Sequence, residues 1–427
     1  MTRNNRTFRI AAGLLATGLA LSACGGGGSS DSDGDGGSSE TPAASGGELL
    51  IWVGDGPGGE ATTEIGKAFG EENGVDVKVE VLPGAELQAN FVTAAQAGDP
   101  PDVVMGAHDW IGNLVQNGTI DPIQIPETTS STLQPLALEA VTFDGQTYGM
   151  PYTMNNIVLI RNTDLAPDAP ATVEEMVAAG EKSVQSGDAK APLAWPVSDT
   201  GNPYFINPLY TSGGGYMFGQ GDDGSFDPTD LGVGTPGSVA AYEKIGELGE
   251  KGSGVLKRSV NTDNAIALFT EGKTPFLVEG PWQLTTIDDS DINYEVSAVP
   301  GFEGLDPASP FITVDAAYVA SGGANKTLAQ EFVTNYWSRA DIGAQLFEAT
   351  KNVPANTDTL AQIEGDNPAV AAVAAAGAEN GQIMPSIPEM AAVWDPLGKA
   401  EAAVIGGADP KSTIDSAAKA IQAAMNG

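Results

Sequence analysis

From residue 49 to residue 105 the chain alternates strand-like and helix-like segments, and that order constrains its fold more than any other feature. Leu49-Leu50-Ile51-Trp52-Val53 is an apolar run of strand length. A glycine-rich turn follows, then a helical stretch over about 61–72 with Ile65 and Phe69 four apart. Residues 75–81 alternate apolar and polar, 85–97 read as a second helix, and 101–105 as a buried strand. Strand, helix, strand, helix, strand in that order predicts a parallel sheet with helices packed on it, an α/β domain. The alternation continues with strands at 156–161 and 274–278 and helices at 173–184, 328–338 and 369–380. A chain of 427 residues is too long for one ordinary core, so two lobes are expected.

Charge and rare residues narrow the chemistry. The chain carries 56 acidic against 19 basic residues, a net of −37. Such a surface repels phosphate backbones and predicts no nucleic-acid partner. His108 is the one histidine and Cys24 the one cysteine. Zinc held by Cys and His, disulfides within the chain and Cys-His catalysis are therefore excluded. No cofactor or metal is expected. What survives is a binding protein, or an enzyme working through carboxylates.

The first residues read as an address. Arg3, Arg6 and Arg9 precede an apolar run from Ile10 to Leu21, too short to span a bilayer and suited to a secretory signal over 1–23. It ends in Leu21-Ser22-Ala23-Cys24-Gly25, similar to the lipobox of bacterial lipoproteins, in which the cysteine is lipidated. Cys24 is thus expected to hold the chain at the outer face of the cell membrane. Residues 24–46 are rich in Gly, Ser, Asp and Thr and read as a flexible tether. Asp31-Ser32-Asp33-Gly34-Asp35-Gly36 imitates a calcium loop, but Pro42 stands where its last ligand belongs.

Two motifs lie at strand ends. Gly54-Asp55-Gly56-Pro57-Gly58-Gly59 fits G-x-G-x-x-G, yet an exported chain meets little NAD and Pro57 stiffens the turn. It reads instead as a ligand-contacting loop presenting Asp55. The stretch from Gly98 to Gly112, ending Ala107-His108-Asp109-Trp110, presents a carboxylate beside an indole. A carboxylate accepts sugar hydroxyls while an indole face covers the C–H surface of a pyranose. Asp109 also suits a helix N-cap, and His108 reads as a hydrogen-bonded structural ring.

These residues form a larger pattern. Gly98-Asp99-Pro100-Pro101-Asp102-Val103-Val104 with Ala107-His108-Asp109, then Gly280-Pro281-Trp282, then Met384-Pro385-Ser386-Ile387-Pro388-Glu389-Met390 with Trp394 resemble the maltose/maltodextrin-binding proteins of bacterial ABC importers. Leu159 to Leu165 and Asn202-Pro203-Tyr204-Phe205 fit the same template, and the likeness runs in order from about residue 47 to near the C-terminus. It implies a two-lobed periplasmic-binding-protein fold, each lobe a mostly parallel sheet flanked by helices, with an oligosaccharide in the cleft between them. The lobes would comprise 47–153 with 316–365, and 154–315 with 366–427. Substrate contacts are implied for Asp55, Gln88, Asp109, Trp110, Asn155, Asn202, Tyr204, Phe205, Trp282, Trp394 and Asp395. Partners implied are maltose or maltodextrin, ABC permease subunits and the membrane through Cys24, with the protein itself a monomer.

The chain departs from the enteric-type pattern at defined places. A lysine of the first loop is replaced by Pro57 or Gly56, and an aromatic before Ala107-His108-Asp109 by Gly106. Trp110, where a basic residue is common, would restore that ring. Asn155 and Asn202 stand where acids are expected, and Asp395 where an aromatic is found. Trp282 and Trp394 also fit core packing, and Tyr204 an exposed turn. Two other readings stay open: a binder of trehalose, a cyclodextrin or a galactoside, and a secreted glycoside hydrolase using Asp109 with Asp55, Glu279 or Asp395.

Overall fold

The computed structural model describes residues 47–221 and 224–426. The signal, the tether and the lipidation assigned to Cys24 lie outside the described residues.

The predicted opening order is present. Strand Glu48–Gly54 buries Leu49, Ile51 and Val53 on one face and pairs in parallel with Asp76–Leu82 and Val103–Ala107. Helices Pro57–Asn73 and Gly84–Ala97 connect them, each closed by a left-handed glycine, Gly74 and Gly98. That conformation costs glycine no Cβ clash, which is why both helices stop there. On one face of this sheet Ile65 and Phe69 pack with Phe332, Tyr336 and Trp337; on the other Leu87, Phe91 and Ile111 cover Val104 and Tyr318.

The sheet is completed by a long strand, Phe311–Val319, antiparallel to Val103–Ala107 on one side and to Gly149–Asn156 on the other. At its opposite end it pairs with Gln382–Ile383. The two long strands run from one half of the molecule to the other. Their register slips by one residue, Asp315 facing Thr153 but Ala316 facing Pro151, so that Tyr152 is an extra, bulged residue.

The second half departs from the expected parallel sheet. Its three strands, Phe276–Glu279, Val158–Asn162 and Tyr294–Ser297, pair antiparallel about the middle one. The outer two run the same way, joined through Pro281–Asp288, and the central strand enters between them from the opposite direction after Ile157. The sequence pattern locates the central strand and one outer strand, Phe276–Glu279, but neither the second outer strand, Tyr294–Ser297, nor the antiparallel pairing. Val158 and Ile160 pack with Phe269 and Val373 on one face, while Leu159, Phe276 and Val278 join Trp195 and Ile206 on the other. Residues expected as one helix at 328–338 divide into an α-turn, Lys326–Glu331, and a wider π-turn, Phe332–Tyr336.

Candidate functional site

Two cavities flank the ends of the first-half strands. The first, about 360 Å³, is lined by the Gly54–Gly59 loop, Gly106, Trp110, Tyr152, Thr153, Trp282 and Asp315. The second, about 560 Å³, is lined by Gln88, Asp109, Asn113, Pro388 and Trp394. Leu87 and Trp110 face the first while their neighbours Gln88 and Asp109 face the second, so helix Gly84–Ala97 and the turn His108–Trp110 form the partition. Both volumes lie in the range of small-ligand sites.

The loop after the first strand is fixed from both sides. Gly56 takes φ 98° and Pro57 opens the following helix, while Asp55 Oδ1 accepts the Gly84 N–H at 2.8 Å. Gly59 allows close approach: a Cβ there would meet the Gly54 carbonyl oxygen at 2.4 Å. Asp55 is therefore presented at the first cavity on a braced turn.

His108 is fully buried and structural. Its Nδ1 accepts the Val314 N–H at 3.0 Å and its Nε2 donates to the Met384 carbonyl at 2.9 Å. Burial lowers its pKa to about 4, so the ring is neutral and joins three segments at the cleft. Asp109 next to it caps no helix. Burial raises its carboxyl to about 6, its own backbone N–H opposes this, and the nearby Asp315 adds to it.

Indoles arrive by the same device in both halves. The ring of Trp110 folds back over Gly106, and that of Trp282 over Gly280. Glycine at each strand end leaves the space that the ring fills. Beneath Trp282, Glu279 is fully buried, with Oε2 accepting the Gly280 N–H at 2.9 Å; burial raises it to about 7 against that bond and the neighbouring indole.

Tyr204, Trp282 and Trp394 are brought together by Phe311, a residue sequence reasoning missed. Tyr204 stacks on Phe311 with centroids 6.3 Å apart and planes at 22°, Trp394 meets Phe311 edge-on at 6.3 Å, and Trp282 lies 6.4 Å from Tyr204. Asp315, Thr153 and Tyr152 were missed as well. Thr153 Oγ1 donates to Asp315 Oδ2 at 2.7 Å, and Tyr152 packs edge-on against Trp337 at 5.5 Å. A charged residue in the otherwise uncharged, mostly apolar Phe311–Val319 run was the one available signal.

Four residues implied by resemblance stand elsewhere. Phe205 points into the second-half core, where its ring meets that of the less buried Tyr204 edge-on at 5.7 Å. Asp395 faces solvent, its carboxylate 2.6 Å from Lys399 one turn on. Asn155 is buried, its Oδ1 accepting the Val353 N–H at 3.1 Å. Asn202 precedes helix Pro203–Ser212, and its backbone N–H donates to the buried Glu401 at 2.7 Å. None of these four lines either cavity.

The chain matches the model of the bacterial extracellular solute-binding proteins over residues 64–378. It is 30% identical to the galactooligosaccharide-binding protein of Bacillus subtilis (strain 168) over 423 residues, 95% of this chain and 94% of that one. It is 28% identical to a maltooligosaccharide ABC transporter solute-binding lipoprotein of Streptococcus pneumoniae (strain ATCC BAA-255 / R6), covering 84% of this chain and 85% of that one. Among solved structures, the Thermus thermophilus maltotriose binding protein bound with maltotriose superposes with a TM-score of 0.78 at 27% identity, covering 88% of this chain and all of that one.

Proposed function

The chain belongs to the bacterial extracellular solute-binding proteins, and we propose that it captures an oligosaccharide of the maltodextrin type for an ABC importer. The observation that carries this reading is the row of rings Trp282, Tyr204, Phe311 and Trp394 beside carboxylates at Asp109 and Asp315. Rings cover the C–H faces of pyranoses, and carboxylates accept their hydroxyls. Asp55 and Asp315 line the first cavity and no lysine or arginine does, which favours neutral sugars over uronic acids.

The working motion is closure of two lobes, 47–153 with 316–365 against 154–315 with 366–427. Two of these boundaries fall within the crossing strands Gly149–Asn156 and Phe311–Val319. The third follows a segment in which Phe347 and Val353 share a core with Val370 and Val373. A sugar touching both lobes favours the closed form through contacts available only there. Delivery would be to permease subunits, with Cys24 lipidation holding the protein outside the membrane. No G-x-x-x-x-G-K-[ST] occurs in the sequence, so ATP hydrolysis falls to another polypeptide.

A galactooligosaccharide is the second reading, favoured by the relative that spans nearly the whole chain. Titration calorimetry against maltose, maltotriose, longer maltodextrins, cyclodextrin, trehalose and galactooligosaccharides decides between them. Micromolar binding confined to α-1,4-glucans is expected. Tight binding of galactosides alone would overturn the substrate, and cleavage of the sugar on long incubation would overturn binding in favour of hydrolysis.

A further inference from the structure

The crossing strands carry a ladder of polar side chains on one face, which reaches the first cavity at Thr153 and Asp315. Thr153 and Asn155 on one strand stand opposite Asp315 and Thr313 on the other. Thr153 Oγ1 donates to Asp315 Oδ2 at 2.7 Å, Asn155 Nδ2 donates to Thr153 Oγ1 at 3.4 Å, and Thr313 Oγ1 donates to the Asn155 carbonyl at 3.3 Å. Tyr204 Oη lies 3.5 Å from Thr313 Oγ1, which ties the ladder to the aromatic row. Asp315 is its end in the first cavity, flanked by Ala107 on one side and Thr153 on the other.

Thr153 engages one oxygen of Asp315, and among the described residues the other oxygen accepts no hydrogen bond. The bulge at Tyr152 breaks the regular pairing at this level of the strands. A half-buried carboxylate without a cation beside it is best satisfied by hydroxyl donors.

On the reading of the site as a sugar cleft, we propose that Asp315 is a ligand-binding and specificity-determining residue, whose free oxygen accepts a sugar hydroxyl at the pivot of the two lobes. It grips the ligand from the crossing strands themselves, where a contact persists through opening and closing. Thr153 is its positioning residue: by occupying Oδ2 it aims Oδ1 into the cavity. Sugars that place no hydroxyl there are bound less well, and anionic sugars are repelled.

The test is calorimetry of the purified chain with maltotriose and a β-1,4-galactooligosaccharide, for the wild type, Asp315→Ala, Asp315→Asn and Thr153→Val. Asp315→Ala is expected to weaken the bound sugar at least tenfold, Asp315→Asn and Thr153→Val by smaller factors, with melting temperatures near that of the wild type. The isosteric Asp315→Asn carries the test should the alanine variant not fold; a loss of at least threefold is then expected. Wild-type binding with every variant within twofold would overturn the role of Asp315 alone. A wild type that binds neither sugar would overturn the sugar reading, and this role with it.

Discussion

Trp110 lies over Gly106 so closely that a Cβ at residue 106 would sit 2.0 Å from Cζ3 of its ring. An aromatic at 106 and an aromatic at 110 therefore exclude each other, and the chain has placed its ring at the second position. The expected consequence is that Gly106→Ala displaces the indole from the first cavity. Sugar affinity should fall in Gly106→Ala about as far as in Trp110→Ala, on the order of 1–3 kcal/mol, the scale of a buried aromatic face. Calorimetry on both variants checks this; full affinity in Gly106→Ala would show that the ring is not a ligand surface.

The origin of this site was only partly legible in the sequence. Strand-end motifs are local, so Asp55, Asp109 and Trp110 could be named from turn chemistry and residue type, whereas Trp282 was implied by the family resemblance. Asp315, Thr153 and Tyr152 depend on the pairing of strands about 160 positions apart and on a one-residue bulge, which no local pattern encodes. Phe311 looked like one more core residue of an apolar strand, and its place among the rings depends on Tyr204 and Trp394 arriving from separate helices. The opening parallel sheet was readable for the opposite reason, since each of its elements is built from neighbours in sequence. The antiparallel second sheet was not, because its outer strand Tyr294–Ser297 was not read and the direction in which the three strands pair is set by partners more than a hundred positions apart.

His108 gives a second prediction. Replacing it by Ala leaves the Val314 N–H and the Met384 carbonyl without partners in a buried position. Each orphaned group costs about 1–3 kcal/mol, so His108→Ala should lose about 2–6 kcal/mol in urea unfolding at pH 7. The folded pKa, about 4, is below the ordinary 6.5, so the unfolded chain takes up the proton first. The stability tied to a neutral His108 is present above pH 6.5 and is lost as pH falls toward 4. An alanine variant as stable as the wild type at pH 7 would remove the ring from the structural role assigned to it.

The partition between the cavities separates the roles of two tryptophans. Trp282 lines the first cavity with Asp315, and Trp394 the second with Asp109 and Gln88. Trp282→Ala should weaken maltose and longer maltodextrins alike, by about 1–3 kcal/mol. Trp394→Ala should spare maltose and weaken the longer chains that reach the second cavity. Affinity measured against chain length from two to six glucose units distinguishes them. Parallel losses in both variants at every length would mean one continuous site in place of two.

Glu401 makes the sign of the acid dependence testable. It is fully buried, one oxygen accepts the Asn202 N–H at 2.7 Å, and the other is without a partner. Burial raises its pKa to about 8 from the ordinary 4.5. The folded protein therefore holds a proton that the unfolded chain releases, and folding stability declines as pH rises from 4.5 through 8. Glu279, about 7 when folded, adds to the same trend, and His108 opposes it below 6.5. Glu401→Gln keeps an oxygen for the Asn202 N–H and needs no proton, so the difference between variant and wild type isolates this one group. That difference should be near zero at pH 4.5 and grow to a stabilisation of several kcal/mol at pH 8, at most about 5, one pKa unit being worth about 1.4 kcal/mol. Urea unfolding at four or five pH values measures it. A difference that stays flat across the range would show that Glu401 is ionised in the folded protein at neutral pH, and that its second oxygen has found a donor.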